Sequence, residues 1–127
     1  MSLAAGSPHL PVPAQIEAHG NGGFRFGGMS HRGSILCLPA GVWAWPVAAP
    51  DAIDADTLSL VLDAGPMLDF VLIGTGRDFW RVPDDLRARF AALSVSLDAM
   101  PTGPAVRIYN VLFAEGRRAA AAFIAVD

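Results

Sequence analysis

Up to Pro46 the apolar positions follow a two-residue period; beyond it, helical and strand patterns alternate. Phe24 and Phe26 flank Arg25, and Trp43 and Trp45 flank Ala44, so residues 24–26 and 42–45 read as strands with one covered face. Residues 16–19 predict a short strand ahead of Asn21-Gly22-Gly23, a turn signal because Asn and Gly accept positive φ. Gly27-Gly28 ends the strand that holds Phe24. Residues 34–38 predict the next strand, broken by Pro39 and Gly41, and Pro46 stops the strand carrying the two tryptophans. The stretch 28–34 contains Ser30 and Ser34 without a Gly-x-Ser-x-Gly elbow or a following helix, and reads as a hairpin loop.

In the second half, Leu58, Val61 and Leu62 share one face of a helix capped by Asp54 or Asp56 and ended by Gly65-Pro66. Residues 70–73 are apolar on both faces, as in a strand covered on both sides. Pro83 opens a second helix, with Asp84 and Asp85 at its positive end and Leu86, Phe90 and Leu93 as its stripe. Val95 and Leu97 alternate with Ser94, Ser96 and Asp98 in a half-buried strand. Thr102-Gly103-Pro104 starts a third helix whose stripe is Ala105, Ile108, Tyr109, Leu112 and Phe113, and Gly116 closes it. Residues 119–126 predict a last strand, alanine-rich and apolar on both faces. This order predicts a three-layer α/β fold: a central mixed β-sheet with helices on its faces plus an additional β hairpin. Residues 1–13, with Pro8, Pro11 and Pro13, are expected to be a loose tail, and residues 14–127 a single domain.

Composition narrows the function classes. The chain is 127 residues long and 53% hydrophobic, which excludes disorder, and only 17% charged, which leaves apolar surface for a partner or self-association. Net charge is −3 with no basic run, which argues against nucleic acid. All nine basic residues are arginine, so Schiff-base chemistry and a Walker lysine are excluded. The single cysteine, Cys37, sits among apolar neighbours and reads as a buried thiol. His9, His19 and His31 have no further ligands at metal spacing, so neither a metal nor another cofactor is expected. With no signal-peptide pattern and no apolar run approaching ~20 residues, the expectation is a cytoplasmic protein without membrane insertion.

Two places carry candidate chemistry. Gly74-Thr75-Gly76-Arg77 follows a buried strand, where ligands of open α/β sheets bind, and its backbone N–H groups with Arg77 suit a small anion. The competing reading is a tight turn in which glycine permits close packing. The helix start at Thr102, with Arg107 about one turn on, is a second potential anion site. The two form one pocket if the fold brings them together. Tyr109 lies in the helix stripe and reads as core. Asn110, at the stripe's edge, is a ligand candidate that equally suits fixing a neighbouring loop by hydrogen bonds. Trp43 and Trp45 are candidate partner contacts, or else pack a hairpin against the sheet.

A combination of these residues resembles the domain-of-unknown-function 498 family. It comprises Gly33-Ser34 before a strand and Pro39 after it, Ile73-Gly74-Thr75-Gly76, Met100 with Thr102, residues 105–112, Glu115-Gly116-Arg117 and the alanine-rich last strand. Ile108 stands where many relatives have threonine. The resemblance implies a three-layer fold around a mixed sheet. Relatives of that family include a mitochondrial respiratory complex I assembly factor and an adipogenesis-associated human protein. It therefore implies a non-enzymatic interaction protein, with partners among the subunits of a respiratory or other membrane complex. The alternative from the residues themselves is a small-anion or small-ligand-binding protein, or an enzyme of unknown reaction, using the Gly74–Arg77 loop and the Thr102 helix start.

Overall fold

The computed structural model describes residues 8–127, so residues 1–7 of the expected tail lie outside the described residues. The chain opens with three short antiparallel strands, β1 (Ala18–Gly20), β2 (Gly23–Phe26) and β3 (Met29–Arg32). Two tight turns set their register. Asn21 and Gly22 (φ 52° and 77°) join Gly20 to Gly23, and Gly27 and Gly28 (φ 57° and 76°) join Phe26 to Met29. Positive φ at both central residues matches the twist of the flanking strands. The first strand, expected over 16–19, begins two residues later and ends one residue later. The stretch 28–34, expected to be a loop, instead contains β3; its Met-Ser-His-Arg has no apolar alternation to mark it. The expected hairpin is thus a three-stranded sheet.

The central sheet holds β4 (Ser34–Leu38), β5 (Gly41–Trp45), β6 (Phe70–Gly74), β7 (Ser96–Met100) and β8 (Ala119–Phe123) in the order β5-β4-β8-β6-β7. β6 pairs in parallel with both β7 and β8, while β4 pairs antiparallel with β5 and β8, so the sheet is mixed as expected. Three helices, α1 (Ser59–Ala64), α2 (Asp84–Ala92) and α3 (Thr102–Ala114), cover it. One core lies beneath α1 and α2 and takes Leu36, Val71, Ile73, Ala120 and Ala122 from the sheet. The other lies beneath α3 and the small sheet and takes Ile35, Cys37, Leu72, Ala121 and Phe123. β8 serves both, because alternate residues point to opposite faces. Close approach is set at Gly74 of β6, where a Cβ would lie 2.9 Å from the Phe123 ring and 3.1 Å from the Thr102 Cα.

The helices depart from expectation in detail. α1 is only six residues long, and the Asp54 carboxylate caps the preceding turn by accepting from Thr57 N–H at 2.8 Å. Gly65 does not stop the chain in the left-handed region; it continues into a 3-10 turn, Gly65–Met67. Pro83 stands just ahead of α2, and Pro101 just ahead of α3. One position of the expected α3 stripe turns outward: Ile108 is 41% exposed and Val106 is buried instead, while Ala105 and Tyr109 are buried and Leu112 and Phe113 pack against the same core. Val106 and Ile108 are both apolar and lie at opposite edges of the stripe, so an arc about 100° wide can be drawn to include either one. Its end is as expected. Gly116 (φ 73°) donates to Phe113 O and Arg117 N–H to Leu112 O, the paired bonds of a Schellman cap.

The described part of the expected tail is tied down. His9 N–H donates to Val42 O, Val42 N–H donates to Leu10 O, and these bonds cover the outer edge of β5. The chain then crosses to α3, where Tyr109 donates to Ala14 O. Residues 8–17 therefore act as a strap over the α3 side of the sheet.

Candidate functional site

Parallel pairing places Gly74 opposite both Met100 and Phe123, so the loop after β6 reaches the start of α3 and the end of β8. The two expected anion sites do meet. Thr102 N–H donates to Gly76 O at 2.9 Å, and Thr75 N–H donates to Met100 O at 2.8 Å. The Thr102 hydroxyl accepts from Gly76 N–H at 3.0 Å and donates to Ile124 O at 2.7 Å. The Thr75 hydroxyl donates to Asp78 O at 2.6 Å. Both threonines are buried. Each donor that sequence offered to an anion at Thr75, Gly76 and Thr102 is engaged inside the fold, so the cluster clasps three chain segments together.

Arg77 is exposed and borders a shallow depression of about 260 Å³ with Thr75, Gly76, Pro50 and Ile124. The carboxylates of Asp78 and Asp127 border the same depression. Arg107 is exposed on α3, about 7 Å along the helix axis from Thr102. Among the described residues it makes no ion pair with this loop.

Asn110 lies about 12 Å along α3 from Thr102 and serves the strap. Its Oδ1 accepts from Ile16 N–H at 2.8 Å and its Nδ2 donates to Ile16 O at 2.9 Å. A side-chain amide thus pairs with a backbone peptide as a neighbouring strand would. Asn110→Ala is expected to cost about 1–3 kcal/mol, because both partners at Ile16 lose their bonds in a partly buried place. A lowered thermal midpoint with faster amide exchange at Ile16 would show it. An unchanged midpoint would mean that water replaces the amide.

Tyr109 is core, as expected. Its ring meets Phe123 edge-on at 5.6 Å, and burial holds its phenol well above the ordinary pKa, leaving it neutral and unsuited to act as a base. Burial likewise raises the Cys37 thiol, the environment of an unreactive cysteine. Trp43 and Trp45 share a face of β5, as the two-residue period requires. Trp45 is enclosed in the core, its indole N–H donating to Thr57 O at 2.8 Å, and cannot contact a partner. Trp43 is half-buried on the edge of the same core.

One polar surface was missed by sequence. Arg25, Ser30 and Arg32 lie together on the outward face of the small sheet, bordering a depression of about 440 Å³. The Gly27-Gly28 pair between Phe26 and Met29 was the available signal, since two glycines between strands mark a hairpin.

Fold and cluster together define a small mixed α/β domain in which the loop after β6 and the start of α3 form a structural clasp. The chain belongs to the family of proteins of unknown function DUF498/DUF598, which it matches over residues 16–124. It is similar to a crystal structure named as an outer membrane protein from Bartonella henselae. That similarity is 44% identity over 94% of this chain and all of that one, with a TM-score of 0.89. It is 32% identical to an uncharacterised protein of Rhodobacter capsulatus, across 96% of this chain and 93% of the relative. It is also 28% identical to human NADH dehydrogenase [ubiquinone] 1 alpha subcomplex assembly factor 3, across 86% of this chain but 59% of the human protein. Among the described residues, no helix is long and apolar enough to cross a membrane.

Proposed function

We propose that this chain is a non-enzymatic interaction protein that assists assembly of a respiratory or other membrane complex through protein contacts. The observation that supports it most is the internal engagement of the loop-helix cluster. Gly76 and Thr102 bond to each other, Thr102 also to Ile124, Thr75 to Met100 and Asp78, and Asn110 to the strap, so the polar groups of these elements build the fold. The similarity to the assembly factor spans most of this chain and directs the reading to a respiratory complex. The competing anion-site reading depends on Arg77, beside two carboxylates. Deleting the chain from its host is expected to lower assembled NADH dehydrogenase several-fold on native gels, with a subcomplex accumulating. An unchanged complex would overturn the assembly role. A thermal shift with phosphate that Arg77→Ala abolishes would favour the ligand reading instead.

A further inference from the structure

The two layers flanking the central sheet differ in charge. Residues 8–33 and 101–117, which form the strap, the small sheet, α3 and the turn after it, carry four arginines against two glutamates, and Arg118 pairs with Asp69 of the opposite layer. Residues 46–69 and 77–100, which carry α1 and α2, hold four arginines against nine aspartates. A chain of net charge −3 therefore has one positive layer.

Within that layer, strand register decides which side chains share a face. Cross-strand partners Ala18, Arg25 and Ser30 lie on one face with Gly20, Gly23 and Arg32. His19, Phe24 and His31 take the other, where Phe24 packs on Phe123 at 5.9 Å. The outward face thus has a low floor of Ala18 and Gly20, with open space above Gly20, between exposed arginines. Arg25 donates to Ser30 Oγ at 3.1 Å and lies 3.6 Å from Glu17, both side chains half-exposed, an ion pair that contributes little and leaves the guanidinium open to further carboxylates. Arg32 has no ion-pair partner among the described residues. The depression they border holds about 440 Å³. Main chain can lie close over glycine, and carboxylates on either side would then reach guanidinium groups.

We propose that the outward face of the small sheet is a docking groove for an extended acidic segment of a partner protein, whose carboxylates pair with Arg25 and Arg32. This rests on the interaction reading above and names the chemistry of the partner. The groove's test uses a labelled oligoglutamate peptide with the full chain. Amide shifts are expected at residues 18–32, with binding that weakens as salt rises. The double variant Arg25→Gln/Arg32→Gln is expected to bind at least about tenfold more weakly. Both residues are exposed, and an unchanged thermal midpoint would verify that the variant folds. Arg87→Gln, on the opposite layer, should bind like the parent. Shifts elsewhere, equal binding of a glycine-serine peptide, or an equal loss in Arg87→Gln would overturn the groove. Tighter binding of oligouridine through the same arginines would overturn it in favour of nucleic acid. The two proposals fail separately. If the double variant restores complex assembly in a deletion host, the groove fails and the assembly role stands. If deletion leaves the complex intact while the peptide binds at residues 18–32, the assembly role fails and the groove stands.

Discussion

Phe123→Ala is expected to destabilise the protein by about 3–5 kcal/mol, a large part of the roughly 5–15 kcal/mol that holds a domain of this size together. Phe123 ends β8, pairs with Ile35 and Gly74, and is fully buried. Its ring meets Tyr109 of α3 edge-on at 5.6 Å and Phe24 of the small sheet at 5.9 Å. One side chain therefore joins the central sheet to both elements above it. Its neighbours on β8 are alanines, which cannot move into the space. The cavity left by alanine will persist, and it is the cavity that raises the cost above simple transfer. The thermal midpoint is expected to fall by roughly 12–20 °C. Phe123→Leu, which retains much of the volume, should lose less than half as much. A loss below about 1.5 kcal/mol for alanine would mean that the small sheet and α3 are held by other contacts.

How far the sequence revealed this arrangement depended on the range of the interactions. β6 and β8 were legible because a run without polar residues leaves few alternatives to a strand covered on both faces. The Schellman cap at Gly116 was legible because it is local. Most of the α3 stripe was legible, but its edge was not, since Val106 and Ile108 are equally apolar and only the sheet decides which one faces inward. β3 was not, because Met29 to Arg32 carries no hydrophobic alternation and is held by pairing with β2. The candidate site divided along the same line. Gly74–Arg77 and Thr102 were recognised as two places rich in donors, and the fold does bring them together. That each satisfies the other could not be read from residues 26 positions apart. Asn110 was singled out, but its partner, Ile16, lies 94 positions away. Arg25 and Arg32 looked unremarkable in sequence and become neighbours of one groove only through the register of two hairpins.

Thr102→Val is the sharpest test of the clasp, because it keeps shape and β-branching while removing the hydroxyl. That hydroxyl receives Gly76 N–H and donates to Ile124 O, in a site with no exposure to water. Valine would leave a buried donor and a buried acceptor without that bond, each costing about 1–3 kcal/mol. A total of about 3 kcal/mol is expected, with the thermal midpoint roughly 10 °C lower. Thr102→Ser loses only a methyl group and keeps both bonds, so it should cost about 1 kcal/mol. The ordering is the decisive feature. Packing alone would make serine the worse substitution, whereas hydrogen bonding makes valine the worse. The Gly76 amide should also exchange faster in the valine variant than in the serine one. If valine proved as stable as threonine, the hydroxyl would not be holding the loop to the helix. Thr102 would then return to consideration as a ligand contact, and the internal engagement that supports a non-enzymatic role would lose its central bond.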